Sequence, residues 1–152
     1  MFAGTRAQHE DLHRSRILGW GGRVFRRYTS CMAKRRIPLD DGRAALAAVA
    51  AGSGARSDLA TAVRYLLEEL SELAPGNSVE VRVPPFGATQ CVAGPRHTRG
   101  TPPNVIEMDA ATWVALATGS LEWDEALISA RVVASGSRGN LDGLLPFAGS
   151  RA

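Results

Sequence analysis

Cys91 and His97 form the one cysteine–histidine pair after Met32. A thiol with an imidazole in reach could act as nucleophile and base. No third group that would orient the imidazole is legible nearby. Cys91 also falls in a strand-like run, where a free cysteine commonly packs as a small hydrophobe. No catalytic residue is therefore assigned. Just beyond it, Arg96 and Arg99 flank His97 in the connection Gly94-Pro95-Arg96-His97-Thr98-Arg99-Gly100-Thr101-Pro102-Pro103-Asn104. Two guanidiniums and turn N–H groups could clamp the carboxylate or phosphate of an amphiphile. The plainer reading is structural: either arginine pairs with Glu80, Glu107 or a helix carboxylate, and the prolines stiffen a long connection. His9, His13, His97, Cys31 and Cys91 include no Cys-x-x-Cys, and His9/His13 have no further ligand beside them, so no metal site is assigned. The glycines near Arg96 match no nucleotide-binding fingerprint, and no cofactor is expected.

The elements that must position these residues are legible from Pro38 onward. Asp40 or Asp41 is a good N-cap for the Ala-rich run that follows, and Gly52-Ser53-Gly54 ends it. Ser57 or Asp58 is expected to cap a second helix. In it Leu59, Val63, Leu66, Leu70 and Leu73 recur at spacings of 4, 3, 4 and 3. That makes one amphipathic helix with a single face to bury, stopped by Pro75-Gly76-Asn77. Val79, Val81 and Val83 alternate with Glu80 and Arg82, a half-buried strand. Pro84-Pro85-Phe86-Gly87 turns the chain, Thr89–Val92 returns as a hairpin partner, and Val105–Met108 is a third strand. Asp109 caps a helix that ends at Gly119. WDEALISA is a shorter helix, Arg131–Ser135 a fourth strand, and Asn140 opens a last turn stopped at Pro146. Strands in a run followed by helices give an α+β fold: a mainly antiparallel small sheet with helices over one face.

At 152 residues, with 45% hydrophobic and 22% charged side chains, the chain is sized and composed for one globular domain. The pI near 9.4 invites a nucleic-acid reading. The excess charge sits at the start, however. Residues 1–31 hold six arginines against Glu10 and Asp11, whereas the rest is close to neutral, so nucleic acid is not an expected partner. Residues 1–31 show no sustained period and are expected to be a disordered basic leader or a mis-assigned start, because Met32 opens MAKRRIPLDD like an ordinary beginning. Residues 32–152 are expected to form the single domain. No apolar run is long enough to span a bilayer, and no secretory signal is legible. Two cysteines suit a reducing cytoplasm.

The stretch Arg64 to Phe147, RYLLEELSELAPGNSVEVRVPPFGATQCVAGPRHTRGTPPNVIEMDAATWVALATGSLEWDEALISARVVASGSRGNLDGLLPF, resembles the small bacterial sterol carrier family proteins of actinobacteria. The part shared with the wider superfamily is Trp113–Gly136: a helix, Gly-x-Leu, an amphipathic helix with Ala-Leu, a basic residue, a strand and Ser-Gly. The resemblance implies the sterol-carrier-protein-like fold, with a tunnel between helices and sheet. It implies binding of small apolar ligands as the superfamily's theme, and it names no ligand. Some such domains are accessory parts of thiol-dependent enzymes. Ser150-Arg151-Ala152 is not a clear peroxisomal address.

The leading expectation is therefore non-enzymatic binding or carriage of a lipid-like ligand in a cavity between helices and sheet. Leu66 and Leu70 would line it from one helix. Phe86, Trp113, Leu116, Trp123 and Leu127 would line the rest, with Arg96 or Arg99 at its mouth. The same apolar residues are also what a domain of this size needs to close a core. The alternatives are a protein-interaction module that keeps the fold without a tunnel, and an accessory domain to a thiol-dependent transferase or isomerase. A cavity above ~300 Å³ favours the carrier, and a filled core favours the interaction module.

Overall fold

A computed structural model describes residues 36–94 and 104–148. Helix α1 (Leu39–Ala50) and helix α2 (Arg56–Leu73) come first. Strands β1 (Val79–Val83), β2 (Gly87–Cys91) and β3 (Val105–Met108) follow. Then come α3 (Ala110–Thr118), α4 (Trp123–Ile128), β4 (Val132–Ser135) and a single 3-10 turn, Asp142–Leu144. The fold is α+β, with a mixed four-stranded sheet in the order β2-β1-β3-β4. β1–β2 and β3–β4 are antiparallel, with Val79 opposite Cys91 and Met108 opposite Val132. β1–β3 is parallel, with Val81 opposite Ile106.

Strand alternation decides the layers. Val79, Val81, Val83, Cys91, Ile106, Met108 and Val132 are buried on one face of the sheet. Glu80, Arg82, Glu107 and Val133 occupy the other, where Arg82 Nε donates to Glu80 Oε1 at 2.6 Å. The α2 stripe meets the apolar face: Val63, Leu66 and Leu70 are buried, and Leu59 and Leu73 pack at its ends. Trp113 of α3 joins the same layer and donates its Nε1 hydrogen to the Val63 carbonyl at 3.3 Å.

Two helix starts differ from the sequence expectation. α1 begins one residue before Asp40, with Pro38 at the N-cap and its carbonyl accepting from Gly42 N at 3.0 Å. Proline presets the backbone for a helix entry, so Asp40 and Asp41 lie in the first turn, where their charge still suits the dipole. α2 starts at Arg56 with Ala55 at its N-cap, and Asp58 instead accepts from Ser53 Oγ at 2.6 Å. Other expectations hold: Asp109 caps α3, and Gly119 closes it in the left-handed region at φ 81°.

Val92 is the unusual backbone position. It follows β2 at φ 62°, a conformation costly for a β-branched residue. Its surroundings over-determine it. Its N–H donates to the Ala74 carbonyl at 2.7 Å, and its own carbonyl accepts from Ser78 N at 3.1 Å and Ser78 Oγ at 2.8 Å. The result is a locked junction between the end of α2 and the β1–β2 hairpin.

Candidate functional site

The apolar layer between helices and sheet is where a ligand cavity was expected. Leu66, Leu70 and Trp113 are each 0% exposed, and Leu116 and Trp123 are buried with them. A side chain with no accessible surface borders no void that admits water, so Leu66, Leu70 and Trp113 are packed against protein atoms. Trp113 also stacks obliquely on Phe147, with ring centroids 5.9 Å apart. Beside this layer, Leu116, Gly119, Leu121, Trp123, Leu145 and Pro146 border a surface dent of about 10 Å³. That is near the minimum for one water and far below ligand-site volumes of roughly 300 Å³ and more.

The remaining expected ligand-binding residues lie apart from that layer's centre. Leu127 is 37% exposed on α4. Phe86 sits in the β1–β2 turn, only partly buried. Its carbonyl accepts from Arg64 Nε at 3.0 Å, and the Arg56 guanidinium lies 5.6 Å from its ring centroid, a cation–π contact. This pair of arginines docks the hairpin turn onto α2. Arg96, His97 and Arg99 lie outside the described residues.

The two ends of their connection are described, and they are tied. Asn104 is buried and donates Nδ2 to the Ser78 carbonyl at 2.7 Å, while its Oδ1 accepts from Arg138 N at 2.9 Å. A Cβ on Gly94 would meet the Arg138 guanidinium and the Ser78 side chain. The connection therefore leaves and re-enters the fold at one polar junction, at the end of the sheet where β1 and β3 begin.

Cys91 is fully buried opposite Val79, and burial pushes its thiol up to about 11. At neutral pH it is a thiol, the wrong form for a nucleophile. Among the described residues no group of three or more His, Cys, Asp and Glu side chains could hold a metal ion. Among them, too, no helix is long and apolar enough to cross a membrane.

The expected Asp109 cap extends into a polar network through Thr112 to Arg131 that the sequence did not reveal. Asp109 Oδ1 accepts from Thr112 N at 2.9 Å, and Oδ2 from Thr112 Oγ1 at 2.7 Å. Thr112, fully buried, accepts in turn from Arg131 Nε at 3.2 Å. The chain of bonds ties the start of α3 to the residue that enters β4. Its signal in the sequence was the i, i+3 pair Asp109/Thr112, the spacing of a capping box.

A bacterial SCP-ortholog family matches residues 55–147. The chain belongs to that family. No curated protein matches the chain. The matched region runs from the start of α2 to Phe147, so for this family member it contains the whole sheet and the Trp113 layer. The basic residue expected before the last strand is Arg131, and here its guanidinium serves the Asp109–Thr112 cap.

That cap has a pH signature. Burial pushes the Asp109 carboxyl up, but hydrogen bonds from Thr112 and Ala111 and the Arg131 charge outweigh it and hold the group below its ordinary value. A depressed carboxyl contributes stability above the unfolded pKa of about 3.9, and the contribution disappears as pH falls through the lower folded value. Asp109→Ala is expected to cost about 1 kcal/mol at pH 7. Urea midpoints should show the difference from wild type shrinking as the buffer is taken below pH ~4. A pH-independent difference would mean the carboxylate charge is not what the cap uses.

Proposed function

We propose that this chain binds a small lipid-like amphiphile without enzymatic turnover. The ligand enters the layer between α2, α3 and the sheet when that layer opens. The observation that carries the reading is membership of the SCP-ortholog family across that layer. The closed layer is filled, so a ligand has to displace packed side chains, and apparent affinity falls with the fraction of molecules that are open. Arg96 and Arg99 are the residues we assign to the ligand's anionic head group, by the charge and fork geometry of guanidinium. A reducing, cytoplasmic setting suits Cys91 as a free buried thiol.

A second reading, an interaction module that keeps the fold without a tunnel, is favoured by one observation: the complete burial of Leu66, Leu70 and Trp113. Titration separates the two. Fatty-acyl and sterol-like probes are added to the full chain while tryptophan fluorescence is followed. Saturable quenching is expected. Arg96→Ala together with Arg99→Ala should weaken a carboxylate-bearing probe by roughly tenfold and leave a neutral sterol unchanged, the loss of charge-assisted hydrogen bonds being the cause. Absence of saturation with either class favours the interaction module. A role as accessory to a thiol-dependent enzyme would not draw on Cys91 for its thiol, since that group is protonated and enclosed.

A further inference from the structure

α1 lies against α2 as an antiparallel strap. Its leading end reaches Glu68, whose Oε2 accepts from Arg36 N and Ile37 N, both at 3.2 Å. Its first turn meets Tyr65, because a Cβ on Gly42 would fall among the Tyr65 ring carbons. The linker that follows it reaches Asp58, near the start of α2, through Ser53 Oγ at 2.6 Å. Asp58, Tyr65 and Glu68 are spaced by seven and three, so they line one face of α2. The opposite stripe of α2 faces the sheet.

α1 contributes only small side chains to the buried interior. Its buried residues are Gly42 and Ala45, neither with a large side chain. The continuous buried core runs from Val63 to Phe147 and includes no α1 residue; Ile37 and Leu46 only pack against it while partly exposed. α1 is 12 residues long, a length at which an isolated helix is marginal in water. It is joined to α2 through Gly52-Ser53-Gly54 and lies outside the family-matched residues 55–147.

From these features we infer that α1 is a releasable strap. It detaches from α2 as a unit while α2, α3 and the sheet stay folded, and its release uncovers Tyr65 between Asp58 and Glu68. The physical basis is the unequal distribution of buried apolar contact, which divides a domain into units of unequal stability. Gly42 sets the docking. It allows the α1 backbone onto the Tyr65 ring, and any larger side chain there would hold the helices apart. The inference does not depend on a ligand.

Native-state hydrogen exchange on the full chain tests it. Amides of Ala45–Ala50 should be protected ~100-fold or more less than those of Val81 and Ile106, through an opening separate from global unfolding. Equal protection, merging into one global opening, overturns the strap. Gly42→Val supplies a second test. The expected result is loss of protection across α1, with Val81 and Ile106 amides at wild-type levels. If the sheet amides lose protection in parallel, or the variant fails to fold, α1 is an integral part of the core and the inference is wrong.

Discussion

Trp113→Ala is expected to lower stability by about 3–5 kcal/mol, the range for emptying a buried aromatic site. Set against a usual total of about 5–15 kcal/mol, that is enough to leave much of the population unfolded at room temperature if this protein lies at the lower end. Three features put Trp113 at the top of the range. It has no exposed surface. Its indole N–H is committed to the Val63 carbonyl across the α2–α3 contact. Its ring packs on Phe147, so the same side chain joins α3, α2 and the C-terminal residues. Trp113→Phe keeps an aromatic ring there and loses the donor, and should cost about 1–2 kcal/mol. Urea unfolding of both variants gives the comparison. A loss below about 1 kcal/mol for Trp113→Ala would show that the layer is looser than its burial indicates, and would return weight to a preformed cavity.

The second large effect concerns Cys91. In a Cys31→Ser chain, the Cys91 thiol should be silent toward an aromatic disulfide reagent in the native state, and should titrate as one thiol per chain once unfolded. Raising the thiol from 9.0 to about 11 lowers the thiolate fraction at pH 8 by about 100-fold. Enclosure adds to this, because Cys91 lies on the apolar face of β2 opposite Val79, and the reagent has no path to it without opening the layer. The measured native rate therefore reports opening of the layer. It should rise in Trp113→Ala, and it should stay at the wild-type level in Gly42→Val if α1 alone is released. Prompt labelling of the native wild-type thiol would contradict the burial and restore Cys91 as a candidate nucleophile.

The elements with strong periodicity were legible in advance because one buried face imposes a period. Val79, Val81 and Val83 alternate because a strand points successive side chains to opposite faces, and the Leu59–Leu73 stripe recurs because a helix returns every 3.6 residues. Asp109 and Gly119 were legible because capping and left-handed closure need particular residue types. The starts of α1 and α2 were not. Several residues near each start could serve, and Glu68 and Ser53, from other segments, complete the arrangement. The parallel pairing of β1 with β3 was also hidden, since parallel and antiparallel strands share the same side-chain period.

For the candidate site the division is sharper. Leu66, Leu70, Trp113, Leu116 and Trp123 could be named from the sequence as residues that face inward, because apolar spacing reports burial. Whether they enclose a space or fill it was beyond the sequence, since a void is a sum over the positions of side chains from several elements. Cys91 and His97 likewise carried chemistry as residue types. The strand-like run around Cys91 already pointed to a small buried hydrophobe, and the tertiary structure bears this out by enclosing the thiol, raising it and leaving it without the thiolate that nucleophilic attack requires. By itself the sequence determined the α+β fold class and the apolar face of each element, which follow from local preference and periodicity, while the family rests on the likeness of residues 55–147 to its other members. The tertiary structure decided the closed layer, the Arg131–Thr112–Asp109 tie and the seating of Gly42 on the Tyr65 ring, because each depends on the distance between segments remote in the chain.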